Sequence, residues 1–430
     1  MSWLIENVSI VPMTESDYCI SKGYIVIEGD RIKAMGEGSA PPAVYDQILD
    51  GSHHLALPGF INAHTHAAMT LFRGYADDLP LMEWLEHKIW PLEARLTGEE
   101  VYWGTMLALV EMIKSGTTCF ADMYFFMDEV ARAVETAGMR AVLARGMIGV
   151  GPSSDLAITE SRALASRWDG AADGRIKIIL GPHAPYTCPP EYMHKVIAMA
   201  QNMGVGLHIH LAETAGEVAD SQRIYGMTPV AHMQSLGLLD HPVIAAHCVH
   251  LNPQDIEILA QYNVGVVHNP ESNMKLASGV APVPKMIKAG IKVALGTDGA
   301  SSNNNLDMLQ ELRTCALLHK VNTADPTVIP AYQALQMATT NGAMALGIDK
   351  QVGQIAAGKK ADLILVKTNE AHFVPHHDLI ANLVYSGQAA DVNTVIIDGR
   401  IIMQDRILKT IDEKLVLEQA QRAAMELVAP

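Results

Sequence analysis

Cysteine is scarce: the 430-residue chain has five, at Cys19, Cys119, Cys188, Cys248 and Cys315, with no CxxC pair. An odd, scattered set supports neither a disulfide framework nor a structural zinc ribbon, so a reducing cytoplasm is the expected setting. Basic charge is also in short supply. There are 31 Lys+Arg against 47 Asp+Glu, a formal −16 at pH 7, and no basic run exceeds a pair. Nucleic acid and anionic membrane surfaces are therefore not expected partners. No apolar stretch approaches the ~18 residues of a membrane span. The N-terminus, MSWLIENVSIVPM, lacks a basic leader and carries Glu6 within its apolar run, so it reads as a strand rather than a secretory signal. Aromatics make up 5% and charged residues 18%, but apolar residues 49%, which describes a core-rich soluble chain. Homo-oligomerisation is left open.

Both ends are β-rich. Trp3–Met13 and Tyr24–Met35 are β-branched runs, the second broken by the turn signal Gly29-Asp30; Ala361–Val366 and Thr394–Met403 follow the same pattern, the latter around Asp398-Gly399, a strong hairpin signal. Between the ends, eight short apolar runs alternate with amphipathic helical stretches: Phe60–Ala63, Thr117–Asp122, Ala141–Arg145, Ile176–Leu180, Gly206–Leu211, Val243–Ala246, Val264–Val267 and Val293–Gly296. Thr97 caps one of the helices, Gly98–Lys114, and Ser115-Gly116 stops it. Eight βα units predict an α/β fold, a (β/α)8 TIM-type barrel over residues 58–347. Residues 1–57 and 348–410 are expected to meet as a small discontinuous β-sandwich, and 411–430 to form a C-terminal helix.

Polar residues cluster where these strands end, at the rim where such barrels build active sites. His64 and His66 follow strand one, Asp122 ends strand two, Arg145 strand three, and His183 follows strand four. His210 and Glu213 end strand five, His247 strand six, His268 strand seven, and Asp298 follows strand eight. Alternate strand residues share a face, so His64 and His66 can hold one cation. With His210 and Asp298 they make an N3O donor set suited to Zn2+, or to Fe2+. His208 has the parity of His210 but lies deeper, and is read as a hydrogen-bonded core residue. Glu213, beside the metal without binding it, is the expected proton carrier. His247 is the expected partner of the attacking water, and Asp298 both ligand and base. Asp122 and His268 are candidates for substrate contact. Cys119 and Cys248 read as core thiols.

No HExxH, GxSxG or HxE…PCxxC pattern is present. Gly353-Gln-Ile-Ala-Ala-Gly-Lys359-Lys360 nearly matches a phosphate loop, but Lys360 replaces the Ser/Thr and no helix follows, so it reads as a turn. Six segments instead resemble the amidohydrolase superfamily, and within it the 5-methylthioadenosine/S-adenosylhomocysteine deaminases. They are Leu57-Pro-Gly-Phe-Ile-Asn-Ala-His-Thr-His66, Gly181-Pro-His-Ala-Pro-Tyr186, His208-Ile-His-Leu-Ala-Glu-Thr214, Ala246-His-Cys-Val-His250, His268-Asn-Pro-Glu-Ser-Asn273 and Leu295-Gly-Thr-Asp-Gly-Ala-Ser-Ser-Asn303.

The resemblance implies one zinc per subunit on His64, His66, His210 and Asp298, and Glu213 at the purine edge. It further implies Glu93 at the ribose hydroxyls, Arg145 and His183 completing a nucleoside pocket, and Trp84 lining it. Relatives with two metals bridge them with a lysine at the end of strand four. Here Ile178-Ile-Leu-Gly-Pro-His183 has none, so one metal is implied. Loop 149–155 offers no basic residue for an amino-acid tail, which leaves Arg145 as the tail candidate. The implied reaction is hydrolytic deamination of a 6-aminopurine nucleoside, namely 5′-methylthioadenosine, S-adenosylhomocysteine or adenosine, to its inosine analogue. The alternatives are a deaminase or chlorohydrolase of guanine, cytosine or a triazine, and a non-catalytic metal-binding scaffold.

Overall fold

The computed structural model describes residues 2–151 and 153–429. Met1, Pro152 and Pro430, which fall in the expected end domain, the loop after strand three and the terminal helix, lie outside the described residues. Eight parallel strands run side by side in chain order: Phe60–Thr65, Thr117–Tyr124, Arg140–Met147, Ile176–Pro182, Leu207–Leu211, Val243–His247, Gly265–His268 and Ala294–Leu295. Most are buried along their whole length, the pattern of a parallel sheet covered on both faces.

The seam between the last strand and the first is closed in part by side chains. The Asn62 amide donates to Thr297 Oγ1 (2.7 Å) and accepts from the Thr297 N–H (3.0 Å), while the Asp298 N–H donates to the His64 carbonyl (3.0 Å). This explains why strand eight, expected over Val293–Gly296, is regular only over Ala294–Leu295. The backbone beyond it turns to hug strand one. Glycine is required at 296, where a Cβ would lie 2.6 Å from Asn269 Oδ1 and 2.8 Å from the His64 backbone.

Helix Gly98–Lys114 begins as its sequence dictates. Thr97 and Glu100 form a reciprocal capping box, and Gly116, at φ 92°, ends the turn that follows. The C-terminal helix Glu413–Val428 packs along it.

The two chain ends share one nine-stranded mixed sheet. His54–Pro58 pairs antiparallel with Leu363–Lys367, which joins the N-terminal strands Ser2–Ile10, Ile20–Glu28 and Arg31–Glu37 to Val392–Ile397 and Arg400–Gln404. Asp398-Gly399 forms the expected two-residue hairpin, with φ of 53° and 71°. Asp398 has a second task. With Asp362 it receives the buried Arg140 at the base of barrel strand three (3.2 and 2.7 Å), and Lys360 adds a contact at 2.8 Å. Buried pairs of this kind tolerate no missing partner, so they fix the end sheet against the barrel floor, opposite the rim that carries the polar cluster.

Candidate active site

Alternation alone does not aim the first two histidines inward. Ile61 and Ala63 already pack in the barrel interior, so a regular strand would point His64 and His66 at the helices. A bulge reverses them: Asn62 to Thr65 on strand one runs opposite only Phe120 to Asp122 on strand two, one residue too many. His208 and His210 face inward by plain alternation, since Leu207, Ile209 and Leu211 pack outward. His247 and Asp298 are turned by left-handed backbone, at φ 71° and 61°. Such conformations cost about 1–3 kcal/mol each and cluster at functional sites.

The four expected metal ligands converge. His64 Nε2 and His66 Nε2 lie 3.4 and 3.3 Å from Asp298 Oδ1, and His66 Nε2 lies 3.2 Å from His210 Nε2. Donor atoms placed about 2.0–2.1 Å from a tetrahedral metal are about 3.3–3.4 Å apart, so these separations are edges of such a polyhedron. The remaining ring nitrogens are committed elsewhere. His66 Nδ1 donates to the Met123 carbonyl (2.6 Å) and His210 Nδ1 to the His183 carbonyl (2.7 Å), which leaves both Nε2 lone pairs facing the centre. His64 Nδ1 meets His208 Nε2 at 2.8 Å, while His64 Nε2 is buried with no hydrogen-bond partner. Asp298 Oδ2 accepts from Ser272 (2.6 Å) and Ser302 (2.9 Å), freeing Oδ1.

The electrostatics agree with a cation at this point. Burial lowers His64 to about 4 and holds His210 well below its ordinary range. His66 is raised to about 9 by Asp298 in spite of burial. Against its own burial, Asp298 is held far below the usual carboxylate range by the two imidazoles. Three neutralisable imidazoles and one persistent carboxylate form a donor set for a divalent metal.

Glu213 and His247 stand beside it. Both are buried, with Glu213 Oε2 3.9 Å from His247 Nε2. The Glu213 turn is clamped by Glu217, whose carboxylate accepts the N–H groups of Ala212 (2.9 Å) and Glu213 (2.8 Å). Burial raises the Glu213 carboxyl, with His247 acting in the other direction. His247 Nδ1 donates to Asn273 Oδ1 (2.9 Å), so its Nε2 is an acceptor turned to the site.

These groups open into a pocket lined by His66, His183, His210, Glu213, His247 and Asp298 on one side. Trp84, Glu93, Tyr124, Phe125, Tyr186 and Leu276 lie among the remaining walls. Trp84 and Glu93 come from the helical segment Leu81–Glu93, whose middle, Leu85–Ile89, is a turn of π-helix. Glu93 is raised by burial, with the Tyr124 hydroxyl pulling the other way. His183 is lowered to about 4 by burial, hence neutral. The Thr187 hydroxyl donates to the Ala184 carbonyl (3.2 Å) and so receives His183 Nδ1–H (2.9 Å), which leaves His183 Nε2 as an acceptor.

Of the residues that the resemblance places at the substrate, Arg145 alone is absent from the lining. Val142 and Ala144 pack inside the barrel and Gly146 lines the pocket, so Arg145 faces the helix layer. There its Nε donates to Glu160 Oε2 (2.8 Å) and its guanidinium sits 5.3 Å from the Phe125 ring centre. Asp122 and His268 also point outward and do not line the pocket. Asp122 accepts the Ala67 N–H (3.0 Å), and His268 meets His319 on helix Met308–Thr323 (3.1 Å). Cys119 and Cys248 are buried core thiols. His208 occupies the deeper layer expected of it.

Sequence reasoning assigned no role to Ser272, Asn273, Ser302 or Glu217, although the first three lie inside the motifs quoted above. Their signal is position, each four or five residues past a polar residue at a strand end: His268, Asp298 or Glu213. Tyr124 and Phe125 lie beyond the expected strand Thr117–Asp122 and were given no role.

Comparison with known proteins gives the same picture. The pattern of the Amidohydrolase family matches residues 55–402. A 5-methylthioadenosine/S-adenosylhomocysteine deaminase of Syntrophomonas wolfei is 62% identical over 429 residues, covering 100% of both chains. One of that name from Moorella thermoacetica is 56% identical, over 97% of this chain and 98% of the other. Among solved structures, a zinc-bound adenosine deaminase from Xanthomonas campestris superposes with a TM-score of 0.94 at 36% identity, over 99% of this chain and 98% of that one. Since the family pattern spans most of the sequence and the relatives match it end to end, this chain belongs to the amidohydrolase family, among the members named 5-methylthioadenosine/S-adenosylhomocysteine deaminases.

Proposed function

We propose that the chain hydrolyses the 6-amino group of purine nucleosides, 5′-methylthioadenosine and S-adenosylhomocysteine foremost, releasing ammonia and the inosine analogue. The observation that carries this reading is the buried Glu213 carboxyl beside both the donor set and His247, in one pocket with Glu93. A divalent metal, taken here as zinc on His64, His66, His210 and Asp298, would supply the positive charge that brings the pKa of water toward ~7. The chain's residues do the rest. His247 Nε2 and Asp298 accept the proton of the attacking water, and Glu213 protonates the purine N1 so that C6 becomes electrophilic. The protons taken from the water then return, one to the departing ammonia with Glu213 helping to relay it, and one to restore the Glu213 acid. Glu93 and His183 Nε2, both acceptors, fit the ribose hydroxyls, and Trp84 covers the pocket from the helical segment.

One metal is proposed per chain. The lysine of strand four, Lys177, sits at the far end of that strand, its ammonium bonded to the Leu346 carbonyl (3.1 Å). Among the described residues no lysine lines the pocket. Elemental analysis should return one equivalent in fully active protein. Ammonia release should be measured with adenosine, 5′-methylthioadenosine, S-adenosylhomocysteine, guanine, cytosine and a chlorotriazine. Turnover confined to the bases or the triazine would overturn the nucleoside reading.

Glu93 gives a separate check. Charged hydrogen bonds contribute about 1.5–3 kcal/mol. Glu93→Ala should therefore cost ribonucleosides that much more, in kcat/KM, than their 2′,3′-dideoxy analogues. The rival role, a helix salt bridge to Arg95, finds no support, because Arg95 Nη1 bonds the Ala429 carbonyl at 3.1 Å. Equal losses for both substrate types would remove Glu93 from ribose recognition.

A further inference from the structure

Regular alternation along strand five would send Glu213 away from the pocket. Leu207, Ile209 and Leu211 pack toward the helices, and residue 213 has their parity, so a continued strand would put its carboxylate outside the barrel. It lines the pocket instead. The reversal occurs at Ala212, which has left-handed backbone at φ 52°. That conformation is unfavourable for a residue with a Cβ, and glycine, which meets no such penalty, is absent from the turn His210-Leu-Ala-Glu-Thr214. Contacts from outside the turn must therefore hold it.

Two sets of bonds do so. On one side, the Ala212 carbonyl accepts from the N–H groups of Val249 (3.0 Å) and His250 (2.9 Å), in the turn that follows His247. On the other, Glu217 Oε1 accepts the Ala212 N–H (2.9 Å) and Glu217 Oε2 the Glu213 N–H (2.8 Å). Successive N–H groups of an extended strand point to opposite sides, so one carboxylate can accept both only where the backbone is turned. Thr214-Ala-Gly-Glu217 has the spacing of a capping box, in which Glu217 would return to the N–H of Thr214. Thr214 does its part, its Oγ1 accepting the Glu217 N–H (3.1 Å), but the Glu217 side chain reaches past it to the two residues before.

We propose that Glu217 is a positioning residue for the reaction: by accepting both N–H groups it holds Ala212 in the left-handed conformation that aims Glu213 into the pocket beside His247. This rests on the reading of Glu213 as proton carrier. The Val249 and His250 bonds remain when Glu217 is replaced, and Glu217 is only half-buried, so the strand end stays in place while the aim of Glu213 loosens.

The test is kcat and KM for 5′-methylthioadenosine, by ammonia release from holoenzyme of measured metal content. An amide at 217 has one acceptor oxygen, and its NH2 group opposes the second N–H. Glu217→Gln should therefore lower kcat by about tenfold or more, with KM within about twofold of wild type and metal content unchanged. Adding Ala212→Gly should recover about threefold or more of that loss, because glycine keeps the turn without the clamp. In a Glu213→Gln background, Glu217→Gln should cost less than about twofold, since the group it aims is already gone. A merely structural Glu217 would cost as much in that background as in wild type, and a Glu217 that itself moved protons would not be rescued by glycine. Either result, or near-normal kcat in Glu217→Gln, would overturn the proposal. Absence of turnover in wild type, or near-normal kcat in Glu213→Gln alone, would instead overturn the reading beneath it.

Discussion

Glu213→Gln is expected to keep its metal and to lose roughly 10²-fold or more in kcat, the scale of positioned acid–base catalysis. The amide is nearly the size of the carboxyl, and the Glu217 clamp on the backbone of Ala212 and Glu213 does not involve the replaced atoms. The turn should therefore hold its shape. What disappears is a group able to give up a proton at N1 and take one back. Burial raises the wild-type carboxyl, so its acid form persists closer to neutral pH than that of an exposed glutamate. Elemental analysis and steady-state kinetics on the same sample separate the two effects. Near-normal kcat at full metal content would exclude Glu213 as proton carrier.

The second large effect is expected at Asp298→Asn, where two functions fail together. Oδ1 is the vertex that faces His64 and His66, and Oδ2 is fixed by the Ser272 and Ser302 hydroxyls. An amide at this position removes the negative charge among the donors, so metal content should fall. It also removes a proton acceptor, so turnover should drop roughly 10²–10⁴-fold even after occupancy is restored with excess zinc. The metal titration separates the roles. Recovery of full activity at full occupancy would leave Asp298 a ligand and nothing more, while unchanged metal content without zinc addition would remove it from the donor set.

Much of this site was legible along the chain because strand ends in a parallel barrel share one rim. Each polar residue that closes an apolar run is a candidate, and His64, His66, His210, Glu213, His247 and Asp298 were found by that rule. Thr97 and Glu100 announced their helix because a cap is a local bond. Asp398-Gly399 announced its hairpin because positive φ at two successive positions is a local cost. His208 and His210 share a parity, yet depth in the sequence separates them: the residue nearer the strand end reaches the centre, and the deeper one braces His64.

Direction was harder to read than position. Arg145, Asp122 and His268 sit at strand ends like the others, but regular alternation sends them to the helix layer, where Glu160, the Ala67 N–H and His319 receive them. His64 and His66 escape that fate through a bulge, and His247 and Asp298 through left-handed backbone. The sequence by itself determined which residues reach the rim, because an apolar run followed by a polar residue is a one-dimensional pattern. Only the tertiary structure decided which of them face the centre, because a bulge is defined by its partner strand, and a backbone held at positive φ is stabilised by contacts from elements far away in the chain.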